Sequence, residues 1–201
     1  MIVKVCGLRT EGNLAKVNGT LDMIGLNFYI PSIRCVALEA EAYDILPATV
    51  KRVGVFVNET KQAILNKISE YGLDYVQLHG DESLEFGEEI AKHAQVIKVF
   101  RIKSVEDFQN LENHSYAEYY LFDTYTENFG GSGTQFDWSI LNHYTGDIPF
   151  LLAGGIGPDD TESVKGINHP MFRGVDINSK FESKPSVKDM AMIDRFIEVV
   201  K

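Results

Sequence analysis

Leu121-Phe-Asp-Thr-Tyr-Thr-Glu-Asn-Phe-Gly-Gly-Ser-Gly-Thr-Gln-Phe-Asp-Trp138 sets a carboxylate at the end of an apolar strand, then a glycine-rich loop, then a helix start. Tyr119, Tyr120, Leu121 and Phe122 read as the strand, and Asp123 stands where it should stop. Gly130, Gly131 and Gly133 surround Ser132 in the loop, where a backbone can turn tightly or lie against a ligand. Asp137 suits a helix N-cap, with Phe136 and Leu141 spaced as a hydrophobic staple. Taken alone, the segment is equally a surface loop after an ordinary polar strand end. The way the other strands end decides between the two readings.

The same pattern recurs along the chain. Short β-rich apolar segments stand near residues 2–6, 22–28, 51–57, 74–78, 96–100, 118–122, 148–152 and 173–177, eight in all. Helical signals lie between most of them. Asn58 suits the cap of a helix with a stripe of Ala63, Ile64 and Ile68, and Asp81 suits the start of one containing Leu84, Ile90 and Ala91. Ser104-x-x-Asp107 and Ser186-x-x-Asp189 resemble capping boxes, and Pro158 suits a first helical position. Met190, Ile193, Phe196, Ile197 and Val200 mark the last helix. Alternating strands and helices without hairpin signals predict a parallel sheet. Eight units fit a closed barrel or an open doubly wound sheet. The count favours the barrel, as does Cys6-Gly-Leu-Arg-Thr10, which is not the Gly-x-Gly-x-x-Gly of a dinucleotide site. The expected fold is a single α/β domain over residues 1–201, a small and little-decorated (β/α)8 (TIM) barrel.

Composition bounds the function. The chain is 44% hydrophobic and 24% charged, as in a soluble globular protein. Its net charge of −10 argues against a generic nucleic-acid or acidic-membrane partner, although one pocket can still be basic. Two cysteines, Cys6 and Cys35, make no disulfide framework. Residues 1–6 turn polar too soon for a signal peptide, and no apolar run approaches a membrane span. The expected location is the cytoplasm. His93, His114, His143 and His169 lack companions at metal-ligand spacing, so no metal is expected. The oligomeric state stays open between monomer and homodimer.

In such a barrel the chemistry sits where strands end. Strand 1 ends in Cys6-Gly7, a small buried residue or a base whose thiolate a positive neighbour favours. Lys4 shares its face, either as that neighbour or as half of an ion pair inside the barrel. After strand 2, Arg34 is either a surface arginine or a two-pronged anion binder. Gln77-Leu-His-Gly80 ends strand 4, and His79 either packs there or moves a proton. Gly154 and Gly155 end strand 7, and Asn178 and Ser179 follow strand 8. Loops at these two places commonly bind phosphate through backbone N–H groups.

Lys4-Val-Cys-Gly-Leu-Arg, Val53-Gly-Val-Phe-Val-Asn, Val76-Gln-Leu-His-Gly, Phe122-Asp-Thr, Gly130-Gly-Ser-Gly-Thr-Gln-Phe-Asp-Trp, Leu152-Ala-Gly-Gly-Ile and Val175-Asp-Ile-Asn-Ser together resemble the phosphoribosylanthranilate isomerase family. The resemblance runs over nearly the whole chain. It implies a cofactor-free Amadori rearrangement of a phosphorylated aminosugar in tryptophan biosynthesis, with Cys6 as general base and Asp123 as general acid. It also implies Arg34 on the anthranilate carboxylate, and Gln77 and His79 near the sugar. Gly154, Gly155, Asn178 and Ser179 would hold the phosphate, and the loop with Gly130, Gly131, Ser132 and Gly133 would cover the substrate.

Three positions depart from that pattern. Cys35 stands where an aromatic residue is common and sets a second thiol near the barrel mouth, which predicts mild sensitivity to oxidation. Lys180 stands where a glycine is common, either adding charge near the phosphate or straining a positive φ. Ser186 also replaces a common glycine, with little consequence expected. The alternatives are the related aminoaldose isomerase of histidine biosynthesis, which carries an Asp near the position of Cys6, and a non-catalytic phosphate-ligand-binding barrel.

Overall fold

The computed structural model describes residues 1–109, 111, 113–125 and 135–201. Eight strands close in chain order into a parallel barrel. They are β1 (Ile2–Cys6), β2 (Met23–Asn27), β3 (Lys51–Phe56), β4 (Tyr75–Leu78), β5 (Gln95–Ile102), β6 (Tyr119–Thr124), β7 (Phe150–Leu152) and β8 (Phe172–Ile177). The seam between β8 and β1 sets Asp176 opposite Lys4.

Side chains alternate along each strand, and this sorts the residues into two apolar layers. Val3, Val5, Val76, Leu78, Tyr120 and Phe122 face outward and join one large core with the helices. Met23, Val53, Tyr75, Ile97, Leu121 and Leu151 fill the barrel interior. The same alternation sends Lys4, Cys6, Gln77, Asp123 and Asp176 inward, so polar chemistry enters the barrel on the parity that packs its core.

The connections are helices, most with a local cap. α1 (Glu11–Leu14) starts at Thr10, α2 (Lys61–Tyr71) at Thr60 and α3 (Leu84–Ala91) at Ser83, each side chain accepting a backbone N–H in the first turn. α4 (Val105–Gln109) follows β5. A 3-10 turn, Trp138–His143, is capped by Asp137 as expected, with Phe136 and Leu141 both buried. A further 3-10 turn, Pro158–Asp160, leads into α5 (Thr161–Lys165), and α6 (Met190–Val200) closes the described chain.

Three capping expectations need correction. Asn58 does not cap α2; it takes φ 50°, and its Oδ1 accepts the N–H of Asp81 at 2.8 Å. Asp81 does not cap α3 but pairs with Arg101 at 2.6 Å. Ser186 is no helix cap, because Asp189 caps α6 itself. Ser186 lies instead between β9 (Glu182–Lys184) and β10 (Val187–Lys188), an antiparallel pair that the sequence did not signal.

Candidate active site

A cleft of about 820 Å³, open mouth included, lies over the C-terminal ends of the strands. Cys6, Arg34, Gln77, His79, Asp123 and Asn178 all line it. Gly154, Gly155 and Ser179 line it too. Every residue expected to touch the substrate, among the described residues, therefore faces one space. Gly130, Gly131, Ser132 and Gly133 lie outside the described residues. Just beyond them, the Gln135 amide donates to the Gly155 carbonyl at 3.0 Å and to Asp160 at 2.6 Å, tying that end of the segment to the β7 turn.

Cys6 is 7% exposed. Gly25, its partner on β2, makes room for the sulfur, since a Cβ there would lie 2.7 Å from Sγ. Below the thiol, Lys4 meets both readings left open by sequence: its Nζ bonds Asp176 at 2.6 Å, with both side chains buried, and its charge pulls on the Cys6 thiol. The two partners respond unequally. Burial alone would lower Lys4, but the Asp176 carboxylate, together with Cys6 and Asp123, outweighs it and the ammonium is held charged. Burial pushes Asp176 upward against the pull of Lys4. At 2.6 Å from a fixed ammonium, we take Asp176 as ionised.

Burial also pushes the Cys6 thiol up, and Asp176 adds to this, whereas Lys4, Lys188 and Arg34 pull it down. In the free protein Cys6 is held as a thiol. That argues against even the mild sensitivity to oxidation expected at Cys6, since oxidation follows thiolate character and exposure. Iodoacetamide should therefore label Cys6 slowly near pH 8, with a rate rising through a pH range above that of a free cysteine. Peptide mass spectrometry against pH checks this; rapid labelling at neutral pH would contradict it. Cys35 is half-buried, bridges to Asn27 through the backbone and is not among the cleft-lining residues.

Across the barrel, Asp123 Oδ2 lies 3.4 Å from His79 Nε2, and Oδ1 accepts the N–H of Thr124 at 2.8 Å. The Gln77 amide nitrogen lies 2.9 Å from His79 Nδ1. With that amide donating, Nδ1 is the acceptor and the ring proton sits on Nε2, aimed at Asp123. Among the described residues, Gln77 Oε1 and Asp176 Oδ1 are buried without a partner, and both side chains line the cleft. Each oxygen keeps an acceptor site that no described group uses.

Gly154 and Gly155 take φ 89° and 66°, a conformation that favours glycine. A Cβ on Gly154 would lie 2.2 Å from Thr124 Oγ1. Lys180 takes no positive φ, so its expected strain is absent. It lies beside Gly157, with Gly155 and Asp159 nearby.

Arg34 holds a surprise. Its Nε and Nη2 donate to the two oxygens of Glu182 at 2.7 and 2.8 Å. Lys188 Nζ donates to Glu182 at 2.8 Å and to Asn178 Oδ1 at 2.6 Å. Sequence reasoning missed Glu182 and Lys188, because contacts between distant positions leave no periodic signal. It also passed over Asn27, Tyr29 and Ser32, which line the cleft. Asp176 was legible in principle, since strand parity puts it on the face of Lys4.

Residues 3–199 match the family model described as N-(5'phosphoribosyl)anthranilate (PRA) isomerase. The chain is 44% identical to the N-(5'-phosphoribosyl)anthranilate isomerase of Parabacteroides distasonis, over 100% of this chain and 93% of that relative. Its backbone is similar to the crystal structure of phosphoribosyl anthranilate isomerase from Thermotoga maritima, with a TM-score of 0.85, 34% identity and coverage of 100% and 98%. It is also similar to a phosphoribosyl anthranilate isomerase solved in complex with reduced 1-(o-carboxyphenylamino)-1-deoxyribulose 5-phosphate, with a TM-score of 0.81, 32% identity and coverage of 100% and 98%.

Proposed function

The chain belongs to the N-(5'-phosphoribosyl)anthranilate isomerase family of tryptophan biosynthesis, and from that premise we propose that Asp123 and Cys6 are the acid and base of its Amadori rearrangement. The observation that carries this is the placement of both groups, from β6 and β1, on one cleft. Protonated Asp123 gives its proton to the furanose ring oxygen, and the ring opens to a Schiff base. Cys6 first releases its thiol proton to solvent, a loss that the charges of Lys4, Lys188 and Arg34 favour, and the thiolate then takes the proton from C2′. The resulting enolamine tautomerises to the ketone, with C1′ reduced as C2′ is oxidised. Electrons stay within the substrate, so the chemistry calls for neither a metal nor a redox cofactor.

His79 donates to Asp123 after the carboxyl has lost its proton, and Gln77 fixes the ring that does so. Gln77 Oε1 and Asp176 Oδ1 accept from sugar hydroxyls. The Gly154–Gly155 turn, with Asn178 and Ser179, presents backbone N–H groups to the phosphate. Arg34 receives the anthranilate carboxylate. Among the described residues no helix is long and apolar enough to cross a membrane; we place the enzyme in the cytoplasm with the other small-molecule chemistry of its pathway.

The test is the loss of anthranilate-sugar fluorescence when the purified protein meets freshly made N-(5-phosphoribosyl)anthranilate. Catalytic loss is expected. No loss, or turnover only of the histidine-pathway aminoaldose, would overturn the reading.

A further inference from the structure

The chemistry above makes no use of Glu182, yet its carboxylate is 5% exposed and heavily bonded. It accepts from Arg34 twice, from Lys188 Nζ at 2.8 Å and from the Ser186 N–H at 3.1 Å. A guanidinium offers carboxylates more than one edge. Glu182 takes the side edge, Nε with Nη2. The end edge, made by both terminal nitrogens, keeps its two hydrogens, one on each, and Arg34 lines the cleft.

We propose that Glu182 is a positioning residue that fixes the plane of Arg34 so that its end edge meets the aromatic carboxylate of the substrate. This rests on the assignment of Arg34 given above. An unrestrained arginine loses considerable side-chain freedom when it grips a ligand; one already clamped loses less. Charge is preserved as well. Arg34 with Glu182 alone is neutral; burial lowers Lys188, Glu182 opposes that, and while Lys188 is protonated the cluster stands at +1, fit to attract an anion. Burial by itself would raise the Glu182 carboxyl, but Arg34 and Lys188 hold it at about 2, so the clamp stays charged at any working pH.

The hairpin carries the clamp as a unit. Asn13 anchors it, donating to the Lys188 carbonyl at 2.9 Å and accepting the Lys188 N–H at 3.1 Å. At its tip, Ser186 Oγ donates to the Ile33 carbonyl, next to Arg34, at 2.8 Å. Ser186 takes φ 66°, a strained value for a serine. Ser186, at a position where little consequence was expected, latches the hairpin to the loop that bears Arg34.

The test compares binding of reduced 1-(o-carboxyphenylamino)-1-deoxyribulose 5-phosphate with the same compound lacking its carboxyl group, by calorimetry on the full chain. Glu182→Gln should weaken the carboxylated compound about 10- to 100-fold and the other by less than about threefold. Ser186→Gly gives a second variant that relieves backbone strain: its melting temperature should rise while the carboxylated compound alone binds about two- to fivefold more weakly. Equal weakening of both compounds would reveal a merely structural role and overturn the proposal, as would no weakening of either. Wild-type protein that fails to distinguish the two compounds would remove the Arg34 assignment itself, and this proposal with it, before any variant is made.

Discussion

Replacing Asp123 by asparagine lowers kcat by about 10²- to 10⁴-fold, and replacing Cys6 by serine does the same, with product-analogue affinity nearly unchanged. The amide at 123 keeps the size of the side chain and an oxygen for the Thr124 N–H, which now sits at 2.8 Å. What it lacks is an acidic proton for the ring oxygen. Serine at position 6 occupies the space that Gly25 leaves for sulfur, but an alcohol ionises far less readily than a thiol, in surroundings that already push the thiol up. Each variant therefore loses a transition-state interaction and little ground-state binding, so kcat falls and KM stays. The double variant should be little worse than either single one, because acid and base serve one reaction coordinate. The fluorescence assay reads all three, and near-normal turnover in either single variant removes that residue from the proposed mechanism.

The reach of the sequence follows from distance along the chain. Strand alternation operates over two residues, so β1 to β8 and the shared face of Lys4 and Cys6 were legible, as was Asp123 at its strand end. The strand-end rule then gathered Arg34, His79, Gly154 and Asn178 into one site. Caps were less secure. Asn58, Asp81 and Ser186 all carry the right chemistry for a helix start, but each lies in the turn ahead of the true cap, where polar residues also satisfy loop backbone. The hairpin β9–β10 was hidden because its strands are only three and two residues long. The Arg34–Glu182 clamp spans 148 residues, and no local pattern encodes it. Lys4 lay between these extremes: parity put it inside the barrel, but only the closure of β8 on β1 showed which carboxylate it meets.

That closure sets the largest stability effect. Lys4→Met should cost about 3–5 kcal/mol, because it strands the Asp176 carboxylate in the barrel interior. Asp176 is 8% exposed and its Oδ1 is buried without a partner among the described residues, so loss of the 2.6 Å bond on Oδ2 leaves almost nothing to offset its desolvation. The pair also staples the β8–β1 seam at a matched register position. Adding Asp176→Leu to Lys4→Met removes the stranded charge and should recover most of the loss, since a buried ion pair gains little over well-packed apolar groups. Urea unfolding of the wild type and both variants measures this; a double variant no more stable than Lys4→Met alone would contradict it. Activity should not follow stability back. The restored double variant lacks the Lys4 charge that favours the Cys6 thiolate and the Asp176 oxygen proposed to accept a sugar hydroxyl. Recovery of folding without recovery of kcat would separate the two uses of one ion pair, closing the barrel and preparing its base.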